Sequence, residues 1–184
     1  MFHNIFLFYN LIRKYKKKKY IKKLVKNGLK LGKNVLIVDA FFFDPSHCYL
    51  ISIGDNCTIC PNVRLIAHDA STKNHLGYTK FGKIDIRDNC FIGDSTIVLQ
   101  NVTIGSNSII GSGSVVTKNI PPNTIAAGNP AKPICSLDAY LAKMKNLIKE
   151  DTQIFGKEYD IENLDEAARN ELIAAAHKGT AFIV

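Results

Sequence analysis

His68 and Asp69 stand side by side in RLIAHDASTK, where a regular pattern of aliphatic residues stops. Imidazole is the side chain whose ordinary pKa suits proton uptake near neutral pH, so a histidine at such a break is a candidate general base. The bland reading is a solvated loop histidine or a turn partner of Asp69. Asp69 either orients the imidazole or closes an Asx-turn onto Ser71 or Thr72. His75, seven residues beyond His68, reads as a substrate contact or a plain surface residue. His47 has Asp44 close by in DAFFFDPSHCY. Cys57-x-x-Cys60 is the remaining chemically suggestive spacing. No second cysteine pair and no strand-to-helix context accompany it, so these residues read as small buried hydrophobes. The five cysteines, odd in number and mostly set in aliphatic pattern, fit a reducing cytoplasm.

A six-residue repeat must position these groups. Cut from Ile86, the chain reads IRDNCF, IGDSTI, VLQNVT, IGSNSI, IGSGSV and VTKNIP, with Ile or Val opening blocks at 86, 92, 98, 104, 110 and 116. Ile53, Ile59 and Leu65 open earlier blocks, and Leu31, Ile37 and Phe43 begin a looser set. The fifth place is small or β-branched: Cys57, Val63, Cys90, Thr96, Val102, Ser108 and Ser114. This is the hexapeptide signature of a parallel β-helix. Each block makes a short strand and a turn, the opener points into a narrow prism, and Gly or Asn supplies the unusual backbone angles of the turn. Three blocks complete a coil, so residues 31–48, 53–70 and 86–121 make about four coils. The register breaks after Leu65 and resumes at Ile86, a gap of 21 that is no multiple of six. A polar loop over 68–83 therefore leaves the prism, and such insertions on a rigid stack are where repeats carry function.

Length and charge complete the outline. A chain of 184 residues suits one principal fold with appendages, and no apolar run approaches the length of a membrane span. The net charge of +8 is unevenly placed: residues 1–38 hold eleven Lys and Arg and no acid, leaving thirteen bases against sixteen acids in the remainder. A chain basic only at one end is not expected to coat nucleic acid. The basic segment, residues 1–30, is expected to be helical. It is read either as an amphipathic helix on an anionic membrane surface or as a cap over the open end of the fold. A secretory signal is not expected, because the positive charge follows the apolar stretch. Prolines 121, 122, 130 and 133 should end the repeat path, so the β-helix domain spans 31–135. The extension, 136–184, should hold helices in SLDAYLAKMKNLIKE and NLDEAARNELIAAAHKG, with Ser136 and Gly179 as caps and TAFIV as a last strand.

The IGDN block, the His68 loop and IIGSGSVVTKNIPPNTIAAGNPAK resemble the left-handed β-helix O-acetyltransferases, the group of maltose and galactoside acetyltransferases and capsule or lipopolysaccharide O-acetyltransferases. The resemblance covers roughly residues 31–135. It implies an all-β core, a left-handed parallel β-helix between N-terminal and C-terminal helical segments. It also implies acetyl transfer from acetyl-coenzyme A to a hydroxyl in polysaccharide biosynthesis, by direct attack in a ternary complex, in a homotrimer with active sites between subunits. His68 matches the catalytic histidine. Lined up by the following IGDN, His47 falls near an acceptor-side position with Asp44 close by, whereas Asp69, where many relatives carry another residue, and His75 are read from their places on the loop as a supporting residue and a substrate contact. Gly93 and Asp94 correspond to the thioester region, and Ser112, Gly113, Thr117, Lys118, Ala127 and Lys132 to the rest of the cofactor groove, the lysines near phosphate. Where relatives often carry Trp, this chain has Phe91. No metal is implied. The cysteine usage and the basic N-terminal segment together point to the cytoplasm, or to the inner face of a membrane.

Three alternatives stay open: a serine or antibiotic O-acetyltransferase of the same fold, a non-catalytic trimeric scaffold, and a zinc-dependent carbonic anhydrase on the same prism. The last would need three histidines, and His47, His68 and His75 lack a paired His-x4-His spacing.

Overall fold

The computed structural model describes residues 15–149, 152–159 and 164–183. The chain divides into two compact units, Met1–Leu137 and Asp138–Val184.

The first unit is a parallel β-helix with three faces. Strands Lys30–Leu31, Ile51–Ile53, Ile84–Ile86 and Val102–Ile104 stack in parallel on the first face. Leu36–Ile37, Thr58–Ile59, Phe91–Ile92, Ile109–Ile110 and Thr124–Gly128 form the second. Arg64–Ile66, Ile97–Leu99 and Val115–Val116 form the third, where Phe43 bridges Leu65. The chain visits the faces in that order four times and enters a fifth coil. There Thr124–Gly128 turns back through the cis Asn129–Pro130 bond, and Ala131–Ser136 pairs with it antiparallel.

The repeat explains the core. Every opener from Ile53 to Val116 is buried, and so are all the fifth-place residues. At the edge between the first and second faces, the fifth-place side chain donates to a carbonyl of the next coil. Cys57 Sγ reaches Arg87 O at 3.0 Å, Cys90 Sγ reaches Gly105 O at 3.2 Å and Ser108 Oγ reaches Pro121 O at 2.9 Å. The two thiols are thus structural donors, and Cys57-x-x-Cys60 holds two free cysteines with no shared role. The fourth place of each block at this edge is an asparagine in the left-handed region: Asn34, Asn56, Asn89, Asn107 and Asn123, with φ between 54° and 60°. Asn tolerates this conformation better than other residues bearing a Cβ. The five amides hydrogen-bond in a ladder along the edge at 2.9 to 3.3 Å.

Residues 15–26 are helical and insert Leu24 into the same core, with Tyr20 and Ile21 packed against it. Lys17 Nζ donates to Ile37 O at 2.9 Å, so this part of the basic segment serves as a cap of the prism. Residues 1–14, which carry the apolar front of that segment, lie outside the described residues. Among the described residues no helix is long and apolar enough to cross a membrane.

The second unit holds helices Leu137–Lys149 and Glu166–Lys178 and a parallel pair of short strands, Ile154–Phe155 and Phe182–Ile183. Asp165 caps the second helix by accepting from Ala168 N at 2.7 Å. Gly179, with φ of 140°, follows its last turn.

Candidate active site

The edge where the third face turns into the first carries the candidate side chains Asp44, His47 and His68. Phe43 and Leu65 stack as equivalent openers, and Asp44 N donates to Leu65 O at 2.9 Å. The residues that follow the two openers are therefore brought together: 44–50 from the first coil and 66–69 from the second. The loop over 68–83 is a hairpin, with His68 paired to Phe81 and Asp69 to Lys80. It is tipped by a short helix, Lys73–Leu76, that ends at Gly77 with φ of 78°. Thr72 Oγ1 bonds Tyr78 O at 2.9 Å across its base.

Asp44 is the residue that engages His68. Its side chain is 2% exposed, and its Oδ2 lies 2.5 Å from His68 Nδ1. Oδ1 accepts the backbone N–H groups of Ser46 at 3.0 Å and His47 at 3.1 Å, which fixes the carboxylate plane. Burial pushes the Asp44 carboxyl up. The hydrogen bond to His68, the N–H of His47, the nearby imidazole charge and the N–H of Ser46 more than offset this, so the group is held below the ordinary aspartate range. A carboxylate that accepts from Nδ1 leaves Nε2 as the ring nitrogen that can take a proton.

Asp69 has other partners. Its carboxylate accepts the Ser71 N–H at 2.8 Å, an Asx-turn, and pairs with Lys80 Nζ at 2.8 Å. The Lys80 ammonium and the Ser71 N–H hold its carboxyl well below the usual range. Asp69 thus clamps the hairpin, and the imidazole is oriented from a different coil.

His47 stacks on the site. Its ring lies 4.7 Å from that of His68, 6.2 Å from Phe81 in a near-parallel stack, and 5.8 Å from Tyr49. His75 is exposed on the loop helix. Phe41, Phe42, Pro45, Leu65 and Ile66 line a cleft of about 210 Å³ that opens onto Asp44 and His68. The Arg64 guanidinium lies 4.9 Å from the centre of the Phe42 ring.

The residues matched to the cofactor groove divide between edges. Gly93, Asp94, Ser112 and Gly113 lie at the turn from second to third face, away from the His68 edge. Gly93 is required there, since an added Cβ would sit 2.6 Å from Ser112 N and 2.7 Å from Ile110 O. Asp94 Oδ1 accepts from Asn62 at 3.3 Å and its Oδ2 from Ser95 at 2.8 Å, while its carbonyl accepts from Gly113 N at 2.8 Å. Ala127 and Lys132 face each other in the terminal hairpin of the second face. Thr117 and Lys118 are exposed on the His68 edge, two coils further along. A single chain therefore does not gather these residues around His68.

The model of the bacterial transferase hexapeptide, six repeats, matches residues 83–118. Among curated proteins, the chain is 40% identical to protein CapG of Staphylococcus aureus over 128 residues, 66% of this chain and 74% of CapG. It is 38% identical to the galactoside O-acetyltransferase of Escherichia coli over 120 residues, 62% of this chain and 53% of that enzyme. The chain spans about half the length of most curated relatives it matches. Among solved structures, a hexapeptide-repeat-containing acetyltransferase from Vibrio cholerae superposes with a TM-score of 0.52 at 23% identity, covering 66% of this chain and 81% of that one. That likeness concerns the fold, the left-handed β-helix.

Proposed function

The chain belongs to the bacterial hexapeptide-repeat transferase family, and from that premise we propose that it is an acetyl-coenzyme A-dependent O-acetyltransferase acting on a sugar or surface-glycan hydroxyl. The observation that carries this reading is the contact between Asp44 Oδ2 and His68 Nδ1 at the mouth of the edge cleft. Attack of a hydroxyl on a thioester needs a base to accept the proton as the carbon–oxygen bond forms. His68 Nε2 takes that proton while Asp44 fixes the tautomer and stabilises the imidazolium. Attack is direct: the acceptor oxygen adds to the acetyl carbonyl, the tetrahedral intermediate collapses, and the coenzyme A thiolate departs and takes up a proton. Holding both substrates together supplies much of the acceleration.

The galactoside O-acetyltransferase among the relatives supports a sugar acceptor. The Phe41 and Phe42 walls of the cleft suit the apolar face of that acceptor. The division of groove residues between separate edges supports a homotrimer in which one subunit contributes His68 and its neighbour the Gly93 and Ser112 edge. We place the reaction in the cytoplasm, where acetyl-coenzyme A is made, and propose that the basic N-terminal segment makes peripheral contact with the inner membrane face.

The test is thiol release from acetyl-coenzyme A across sugars, sugar nucleotides, lipid-linked glycans, serine and chloramphenicol, for wild type and His68→Ala. Sugar-dependent release that is lost in a folded variant supports the reading. Release driven by serine or chloramphenicol would move the acceptor class, and a protein that binds no cofactor would overturn the reading in favour of a scaffold.

A further inference from the structure

Asp44, His47 and His68 each offer one donor atom, and the three atoms lie within 4.8 Å of one another. Two features separate this cluster from an ordinary hydrogen-bonded dyad. His47 Nδ1 is sealed from solvent, has no hydrogen-bond partner among the described residues, and stands 3.8 Å from Asp44 Oδ2, beyond bonding reach. Such an orphaned buried nitrogen is unfavourable in a folded protein and calls for an explanation. Asp44 Oδ1, meanwhile, is committed to two backbone N–H groups, so Oδ2 alone faces both imidazoles in a fixed direction.

We propose that Asp44 Oδ2, His47 Nδ1 and His68 Nδ1 form a binding site for a divalent transition cation of the zinc, cobalt or nickel type, and that its occupation switches acetyl transfer off. Two imidazoles and one carboxylate are the donor set such borderline ions take, in preference to calcium or magnesium. The His68 and His47 side chains are 37% and 25% exposed, so the two rings can turn toward solvent to admit an ion, which must also widen the 2.5 Å Asp44–His68 contact to the about 3 Å that separates two donors on one ion. The inhibition follows from the position of one proton. Neutral His68 carries a single ring proton, which Nδ1 donates to Asp44 and which leaves Nε2 free as the base. A cation on Nδ1 displaces that proton to Nε2, and the ring can then accept none from an acceptor hydroxyl. The ion bound and the base lost are balanced without net proton release. Binding rests on geometry alone; the inhibitory consequence rests on His68 being the general base.

Metal-free full-length protein is titrated with cobalt(II), whose visible absorption reports ligand number and type, and with zinc, followed by proton–nitrogen correlation of the histidine rings. The expected result is one equivalent per chain, with the Nδ1 signals of His47 and His68 moving together. His47→Phe keeps an aromatic ring against Phe81 while removing the donor, and is expected to weaken cobalt binding by about 100-fold, at least the loss seen when outer partners of a metal ligand are removed. His75→Ala is expected to bind as wild type. No saturable binding, signals moving only at other histidines, or a folded His47→Phe that binds cobalt as wild type would overturn the site. If zinc engages both Nδ1 atoms yet acetyl transfer continues at full rate, the site stands and the general-base reading of His68 falls. If His68→Ala abolishes transfer while zinc neither binds nor inhibits, the base stands and the metal site falls.

Discussion

Asp44 Oδ2 lies 2.5 Å from Nδ1 of His68 across 24 residues of chain, while Asp69, the histidine's own neighbour, points its carboxylate at Lys80. The two aspartates should therefore respond differently to the same substitution. Asp44→Asn leaves the shape of the site and removes the acceptor that holds the Nδ1–H tautomer, so kcat should fall by about 10²- to 10⁴-fold with the Michaelis constants little changed. His68→Ala should fall in the same range, and the double variant should cost little more than either, because the pair acts as a unit. Asp69→Asn should retain kcat within severalfold. Steady-state thiol release on the four proteins decides the point; a larger loss in Asp69→Asn than in Asp44→Asn would refute the assignment.

The Asp69 clamp has a pH signature of its own. Its carboxyl is held below its ordinary value by Lys80 and the Ser71 N–H, so its native pKa lies under its unfolded one. The contribution of the pair is then complete above the unfolded aspartate value, about 3.9, and is lost as pH falls through the depressed native value. The hairpin over 68–83 should open more readily in strong acid than at mildly acidic pH, whereas Asp69→Asn should open more readily than wild type at mildly acidic pH. Pepsin cleavage of this loop, followed across the acid range by mass spectrometry, measures the opening. High salt should weaken the exposed pair and make the wild type resemble the variant. Equal cleavage of the two proteins at pH 4 in low salt would contradict the clamp.

The repeat was legible because its physics is local. An aliphatic opener every six residues can be satisfied only by a prism, and the buried openers from Ile53 to Val116 follow that reading residue by residue. The hairpin at 68–83 was legible as a loss of register. The partner of His68 was less so, because a side-chain contact between coils depends on which openers stack. Phe43 pairs with Leu65, and with that register known, Asp44 and His47 fall beside His68. Asp69 was the nearer acid in sequence, and strand alternation together with Lys80 on the facing strand turned it outward. The asparagine ladder was visible as a recurring residue type, but its hydrogen bonds exist only once the coils are stacked.

That ladder separates two terms that one residue combines. Asn89 sits mid-ladder with φ of 56°, donating to Asn107 at 3.0 Å and accepting from Asn56 at 3.3 Å. Asn89→Gly removes the two side-chain bonds but accepts the left-handed conformation, and should cost about 1 kcal/mol at this solvent-exposed edge. Asn89→Ala removes the same bonds and adds the left-handed penalty of a Cβ, about 1–2 kcal/mol more. Denaturant unfolding of both variants at one fixed protein concentration gives the comparison, since any oligomer makes stability concentration-dependent. Equal destabilisation by Gly and Ala would mean that the backbone angle is not held in solution.

The separation of His68 from the Gly93 and Ser112 edge within one chain makes the proposed site shared between subunits testable without a structure of the assembly. His68→Ala should remove the base and leave the cofactor edge intact. Gly113→Trp should do the reverse: Gly113 is exposed and nothing lies within 4 Å of where its Cβ would stand, so an indole there would project into the proposed groove, at a backbone cost of about 1–2 kcal/mol for a Cβ at φ of 70°. Each variant alone should be inactive as a homotrimer. When the two are unfolded, mixed in equal amounts and refolded together, a site is competent only where an intact His68 meets an intact neighbouring edge. Random assembly produces that pairing at about one site in four, so the mixture should recover about a quarter of the wild-type rate. Sites built within single chains would recover nothing, because every chain in the mixture carries one defect.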